Sequence, residues 1–471
     1  GDSKVFDDRL EKLNEECGVF GIYAPGRSVA DFIYMGLFSL QHRGQEACGI
    51  AISEGNAINY HKHLGMVTEV FNQNVLAGLK GHMGIGHVRY SVKGQAKTQQ
   101  NAQPVVARYQ HGEIAVAHNG CLINGEELRA SLMERGFLFH TAVDAEQIVS
   151  LIASHGHDDM ENALMKTMID LKGSYSLVIM TEDKLYAVRD PQGNRPLCIG
   201  KLGEDGYVVA SESCALDAIG ASFLRDVAPG EIVTIDENGL HSTTMFTGHK
   251  QALCVFEFVY IARPDSNIDG INVNKARRLM GNELAKEAKL DVDVVISVPD
   301  SGTTAAIGYA EESGIPFTQG ILKNRYTGRS FIQPTQEMRE LMVKLKLNPI
   351  RDAIEGKRIA VVDDSIVRGT TSRKLVKMLR EYGAKEVHML ITCPPVKYPC
   401  FYGVDTGDPN ELIAAKMDVD GICEYIGADS LHYISMEGIN RAVEWSGVSF
   451  CTACVSGEYP MGVPCEHCQN K

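Results

Sequence analysis

From about residue 270 onward the chain alternates amphipathic stretches with short apolar runs, and few folds tolerate that rhythm. Segment 274–288, NKARRLMGNELAKEA, places its apolar residues on one helical face, and 292–299, VDVVISVP, is a short apolar strand ended by a proline. A helix closed by a glycine follows at 302–314, then a strand at 356–364 (GKRIAVVDD), a helix at 370–383 and a third strand at 385–395. Buried strands joined by helices predict a parallel sheet with crossover helices, an α/β domain. Ligands of such sheets sit beyond the carboxyl ends of the strands, so the residues just after each strand matter most.

Residues 17 to about 250 keep a different rhythm. CGVFGIY (17–23), EIAVAHNG (113–120), SYSLVIM (174–180) and KLYAVRD (184–190) each pair a β-rich apolar run with turn residues. Helical patterns fit 30–41, 125–134 and 144–153. This predicts a mostly antiparallel α+β domain. At 471 residues two or three domains are expected. The expected division is a charged leader at 1–16, a first domain at 17–250, a second at 251–445, and an irregular Gly-, Pro- and Cys-rich tail at 446–471.

The formal charge of −14 argues against a surface spread over nucleic acid, while leaving room for a local basic pocket that takes small phosphate esters. No apolar run is long enough to span a bilayer, and the polar start GDSKVFDDRLEKLNEE lacks a secretory core. A cytoplasmic protein is expected, with no membrane partner. Thirteen cysteines, an odd number, suit reactive thiols or metal ligands better than a disulfide framework.

Two strand ends carry chemistry. In 359–372, IAVVDDSIVRGTTS, an apolar strand delivers Asp363 and Asp364, followed by Ser365, Arg368, Gly369, Thr370 and Thr371 at the start of a helix. Backbone N–H groups at a helix start, beside hydroxyls and a glycine that permits close approach, make an anion cradle. The carboxylates suit sugar hydroxyls, or Mg²⁺ that keeps its waters and bridges a diphosphate. The second strand end offers Asp300, Ser301, Gly302, Thr303 and Thr304 in the same construction. Either loop alone reads equally as a helix cap; two of them with an acidic pair suit a ligand phosphorylated at both ends.

VVDDSIVRGTTS resembles the signature of type I phosphoribosyltransferases that bind phosphoribosyl pyrophosphate (PRPP). With FVYIARPDS (258–266), VPDSG (298–302) and KNRYTGRSFIQPTQEMRE (323–340), the second half is similar to the amidophosphoribosyltransferase family. That resemblance implies that 365–371 hold the 5-phosphate, that Asp363 and Asp364 face the ribose and Mg²⁺, and that Asp300, Ser301 and Gly302 form the pyrophosphate loop, with Ser301 also near the metal. It further implies that 323–346 closes over PRPP and that Lys323, Arg325 and Arg329 screen the leaving pyrophosphate. A charged surface loop is the alternative for that stretch.

The first half resembles glutamine amidotransferases of the amino-terminal-nucleophile class, an αββα sandwich. Cys17 opens CGVFGIY, and LQHRGQEACGI (40–50), GHVRYS (86–91), AHNG (117–120) and VDAE (143–146) follow in the family's order. A terminal cysteine supplies its own base, because a free α-amino group has a pKa of about 7.7–8.0. This requires removal of 1–16 as a propeptide. The resemblance makes Cys17 the nucleophile, Arg89 the clamp on the substrate carboxylate, Asp144 the acceptor for its ammonium, and Asn119 with Gly120 the oxyanion site. Taken singly, Cys17 also reads as a core thiol, Arg89 as an ion-pair partner and AHNG as a turn. Cys48 stands where serine is commoner, which could alter glutamine affinity.

The expected reaction takes ammonia from glutamine, passes it through the protein and displaces pyrophosphate from PRPP, giving 5-phosphoribosylamine and glutamate at the start of purine synthesis. A repressor built on the PRPP-binding fold would lack the glutaminase half, and glucosamine-phosphate synthase would lack VVDDSIVRGTTS. Read by spacing alone, Cys451, Cys454, Cys465 and Cys468 form a plausible zinc site. The resemblance instead implies a [4Fe–4S] cluster on Cys254, Cys400, Cys451 and Cys454. It also implies a homo-oligomer, commonly a tetramer, inhibited by purine nucleotides.

Overall fold

Every residue of the strand Gly18–Tyr23 is buried, yet neighbouring side chains enter different cores. Val19 and Tyr23 pack with Ala115, Ala117, Val178 and Val233, whereas Phe20 and Ile22 pack with Ile33 and Leu37 of a helix. A strand buried on both faces reads as a continuous apolar run, and CGVFGIY does so because a sheet covers one side and a helix the other. In the computed structural model, residues 17–90, 98–246, 248–324, 347–406, 409–443 and 447–465 are described. The expectations for 1–16, Arg325, Arg329 and Cys468 lie outside the described residues.

The first half consists of two antiparallel sheets. One runs in the order Ser222–Asp226, Cys198–Leu202, Gly206–Ala210, Gly18–Tyr23, Met83–Arg89, Ala47–Ser53, Ile58–Leu64. The other runs Gly239–Thr244, Glu231–Asp236, Leu185–Arg189, Gly173–Met180, Gly112–Leu122, Val105–Tyr109. Helix Ala30–Ser39 covers the outer face of the first, and Asp144–Ser154 with Met160–Asp170 covers the outer face of the second. The result is the expected αββα sandwich. Close approach sets its spacing. A Cβ on Gly36 would fall 2.3 Å from the Phe20 ring, and one on Gly21 would fall 2.6 Å from Val178. Burying a ring such as that of Phe20 is worth about 2 kcal/mol, which a larger residue at 36 would forfeit.

The second half centres on four parallel strands in the order Val294–Ser297, Arg358–Asp363, Glu386–Ile391, Ser430–Tyr433. Helices Thr303–Ser313, Thr370–Glu381 and Val419–Ile426 make the crossovers, and Val273–Glu287 precedes the first strand. The alternation read from the sequence is the alternation observed. The tail differs from expectation. Phe450–Cys451 forms a parallel two-residue ladder with Leu253–Cys254, and Ala453–Ser456 is a helical turn. These backbone bonds tie the tail to a segment two hundred residues earlier, a pairing that turn-rich composition does not encode.

Candidate active site

Cys17 stands one residue before the Gly18–Val88 pair, which brings it beside Arg89 at the end of the neighbouring strand. Its Sγ donates to the Tyr90 carbonyl at 3.6 Å. Arg43, from the LQHRGQ string, donates through Nε to the Cys17 carbonyl at 3.1 Å. Gly44 lets that turn lie on Arg89, since a Cβ there would fall 2.7 Å from the Arg89 backbone nitrogen. Arg89 is almost wholly buried; burial lowers its pKa, and the charges of Cys17 and Glu46 oppose the shift.

Asn119 and Gly120 lie on the facing sheet, in Gly112–Leu122. The two sheets are bonded just here, where His87 Nε2 and the His118 carbonyl are 2.9 Å apart. Asn119 is fully buried, and among the described residues neither its Nδ2 nor its Oδ1 has a hydrogen-bond partner. An unsatisfied buried amide costs roughly 1–3 kcal/mol, so the site is built at the expense of stability. Gly120 has φ +140°, and a Cβ there would fall 2.2 Å from the Ser174 carbonyl oxygen. Asp144, at the start of its helix, accepts from the Leu122 N–H at 2.9 Å. Burial raises its pKa to about 6. Cys48 faces the helix-covered outer core with Ile50 and Ile52, on the side of its sheet away from the sandwich interior.

At the strand ends of the parallel sheet, the predicted loop at 300–304 lies against the neighbouring strand Arg358–Asp363. Ser297 and Val362 are register partners, and a Cβ on Gly302 would fall 2.4 Å from the Val362 carbonyl oxygen. Glycine is therefore required by close approach, here at a φ of −78° that any residue adopts. Asp363, Asp364 and Ser365 are buried; Asp363 Oδ1 accepts from the Asp364 N–H and Asp364 Oδ1 from the Ser365 hydroxyl, both at 2.9 Å. Gly369 caps helix Thr370–Glu381 at φ +80° and packs against Ile413 and Tyr425. Arg368 pairs with Glu411 at 2.7 Å, and Lys323 Nζ lies 3.0 Å from Asp300 Oδ2. Two residues expected to share one ligand thus neutralise each other across the loop mouth.

Several residues at the junction of the halves were given no role in the sequence reading, although Arg43 lies within the quoted string LQHRGQEACGI. Arg43, Glu212, Glu257 and Arg195 are all fully buried, with Arg43 2.6 Å from Glu212 and 2.7 Å from Glu257. Burial alone would raise the Glu212 pKa, but His42 and Arg43 hold it well below the usual carboxylate range. Glu257 begins a π-helical turn, Glu257–Ile261, a form that often marks functional positions. Arg277 donates to the Phe258 and Ala262 carbonyls at 2.7 Å, and it feels the charges of Asp364, Glu212 and Glu257. Charge alone gave no clue, because partners 169 and 214 residues apart in sequence meet only after folding.

The cysteines expected to gather do so in part of the junction. Cys254 and Cys451 are register partners, and Cys454 feels the charges of Cys400, Cys254 and Cys451. The Tyr402 N–H donates to Cys400 Sγ at 3.3 Å. Burial pushes the Cys451 thiol up to about 11. Among the described residues, no three His, Cys, Asp or Glu side chains are grouped closely enough for a single metal ion. Cys465 is exposed, unlike buried Cys451 and Cys454, so the four-thiolate zinc reading gains no support. No disulfide joins the described cysteines, and no helix among the described residues is long and apolar enough to cross a membrane.

An antiparallel αββα sandwich joined to a four-stranded parallel sheet is the architecture of a glutamine amidotransferase coupled to a phosphoribosyltransferase. Family models agree: residues 87–218 match a glutamine amidotransferase domain and 269–405 a phosphoribosyl transferase domain. The amidophosphoribosyltransferase of Synechococcus elongatus is 49% identical over 462 residues, 97% of this chain and 94% of that one. The Bacillus subtilis enzyme of the same name is 48% identical over 456 residues, 96% and 95% of the two chains. A solved structure of glutamine PRPP amidotransferase from B. subtilis, complexed with ADP and GMP, superposes with a TM-score of 0.90 at 47% identity, covering 95% of this chain and 98% of that one. A second, described as the allosteric regulatory enzyme of purine biosynthesis, gives 0.90 at 46% over 95% and 97%. The chain belongs to the amidophosphoribosyltransferase family. It is a glutamine-dependent pentosyltransferase of purine biosynthesis that replaces the pyrophosphate of PRPP with nitrogen from glutamine.

Proposed function

We propose that Cys17, exposed as a chain start by removal of 1–16, is the nucleophile that frees this nitrogen. The observation that carries the reading is the Asn119 side chain, fully buried with no partner for either polar atom among the described residues. The Nδ2 donor of such an amide is satisfied when an oxyanion arrives. The Cys17 sulfur attacks the carboxamide carbon, and Asn119 Nδ2 and the Gly120 N–H take the charge that develops on oxygen. The C–N bond breaks, ammonia leaves with a proton from the terminal amine, and water then hydrolyses the thioester to glutamate. Arg89 clamps the substrate carboxylate, and ionised Asp144 accepts from its ammonium.

Ammonia passes inside the protein to the second half, because in water it would protonate and lose its nucleophilic pair. There 365–371 hold the 5-phosphate, and Asp300, Ser301, Gly302, Lys323 and Arg325 hold the pyrophosphate. Asp363, Asp364 and Ser301 form a hard-oxygen donor set that fits Mg²⁺, which when bound spreads the charge of the leaving diphosphate. The four thiols Cys254, Cys400, Cys451 and Cys454 are a soft donor set that fits a [4Fe–4S] cluster, wider than a single ion, in a structural role. Likeness to the B. subtilis enzyme solved in complex with ADP and GMP supports purine nucleotides as ligands of this chain, here read as feedback inhibitors. A cytoplasmic homotetramer completes the reading, in keeping with cysteines that form no disulfide among the described residues. The decisive experiment is Cys17→Ser. Synthesis from added ammonia should persist while synthesis from glutamine disappears; continued use of glutamine would overturn the assignment.

A further inference from the structure

The strand that carries Asn119 and Gly120 is gripped from behind by a turn of the other half of the chain. The Tyr402 carbonyl oxygen accepts three hydrogen bonds: from Ser174 Oγ at 2.6 Å, from Arg195 Nε at 3.1 Å and from Arg195 Nη2 at 2.5 Å. Tyr402, Ser174 and Arg195 are each no more than 1% exposed. Ser174 Oγ in turn accepts from the Cys121 N–H at 3.1 Å, the peptide group immediately after Gly120. A Cβ on Gly120 would meet the Ser174 carbonyl oxygen on one side. On the other side lies Gly403, at φ +117°, where a Cβ would sit 3.5 Å from the Gly120 Cα and 3.2 Å from Arg195 Nη2.

Arg195 is held in turn. Its own carbonyl accepts from Ser176 Oγ at 3.2 Å and from Arg189 Nε at 2.8 Å, and Glu257 lies 3.8 Å from its guanidinium. The charge of Arg195 is felt at His118 and Cys121, on either side of the Asn119–Gly120 pair. A carbonyl that draws two donors from a buried cation and a third from a hydroxyl is a fixed point. Catalysis by oriented dipoles depends on such fixing, because a displacement of about 1 Å can cost on the order of a hundredfold in rate.

We propose that the Tyr402–Gly403 turn holds the glutaminase oxyanion site in its working geometry, with Ser174 and Arg195 as the positioning residues that transmit the contact. The inference rests on the reading of Asn119 and Gly120 as that site. It makes the second half of the chain a structural component of the first half's chemistry. Cys400 begins the same turn, so whatever fixes Cys400 also fixes the oxyanion strand.

The test is Ser174→Ala in the full-length enzyme, which removes the hydroxyl between the Tyr402 carbonyl and the Cys121 N–H. Its kcat for glutamine hydrolysis should fall about tenfold with the glutamine KM within about twofold, the pattern of an interaction realised in the transition state. Ammonia-dependent synthesis should stay at the parent level, and Ser174→Cys, which keeps a weak donor, should be intermediate. An unchanged kcat, a change in KM alone, or an equal loss of both activities in Ser174→Cys would overturn the proposal. Asn119→Ala is measured alongside. Full glutaminase activity in that variant would sink the oxyanion reading itself, whereas an inactive Asn119→Ala beside a fully active Ser174→Ala would sink only the positioning role.

Discussion

Arg43 reaches the Cys17 carbonyl with Nε while its Nη1 and Nη2 atoms hold Glu257 at 3.0 and 2.7 Å. One guanidinium therefore joins the residue proposed as nucleophile to a glutamate of the second half. Both partners are wholly buried, so the pair is screened by neither water nor salt.

Replacing Arg43 with Met should leave Glu212 and Glu257 as buried charges without this partner, a loss of about 3–5 kcal/mol for breaking a buried pair. Urea unfolding of the variant should show a correspondingly lower midpoint. A midpoint equal to that of the parent would mean that His42, Arg195 and Arg277 suffice to compensate both glutamates.

Asp144 has its pKa raised to about 6 by burial, so it loses its charge as pH falls through that value. Only the ionised form accepts from an ammonium group. The glutamine KM should rise below pH 6 while ammonia-dependent synthesis follows its own profile. Asp144→Asn should show a high KM that no longer changes over this range, and pH-resolved steady-state kinetics decides the matter.

His87 and His118 are buried, and desolvation lowers their pKa values to about 3 and about 4. The unfolded chain protonates them near pH 6.5, so between 6.5 and 4 it binds more protons than the folded chain does. Stability should therefore fall as pH drops through that window, by on the order of 3 kcal/mol from His118 alone. Asp144, raised to about 6, contributes with the opposite sign between about 4 and 6. Comparing denaturation of the parent and His118→Gln across pH isolates the histidine, whose variant should have the shallower slope.

Gly302→Ala inserts a methyl 2.4 Å from the Val362 carbonyl oxygen. The 300–304 loop must move off the strand Arg358–Asp363, at a cost of about 1–3 kcal/mol. PRPP should bind roughly tenfold or more weakly, a factor of ten corresponding to about 1.4 kcal/mol. Synthesis from glutamine and from ammonia should suffer together at limiting PRPP. Isothermal titration with PRPP checks this, and an unchanged affinity would remove the loop contact from the binding argument.

Purified without oxygen, the protein should be brown and contain four irons and four sulfides per chain if the thiols of Cys254, Cys400, Cys451 and Cys454 hold the proposed cluster. Removing the iron with a chelator should lower thermal stability and bleach the colour. Colourless protein that contains zinc would reverse the assignment.

Much of this was legible before folding. The shift from alternating strands to strand–helix–strand order foretold both architectures, because burial on one or two faces imprints its period directly on the sequence. Cys17, Asn119 and Asp144 stood out only through short strings resembling a family in order, whereas the loops at 300–304 and 363–371 stood out because strand ends and helix starts are local features. Arg43, Ser174, Arg195, Glu212 and Glu257 did not. Their roles are defined by partners on other sheets and in the other half of the chain, and no local pattern distinguishes a buried arginine from a solvated one. The sequence by itself determined which elements form and which residues stand at each strand end. Tertiary structure decided which charges face one another without water, and it set the Tyr402 carbonyl behind Gly120, because such contacts exist only once distant segments have displaced the solvent between them.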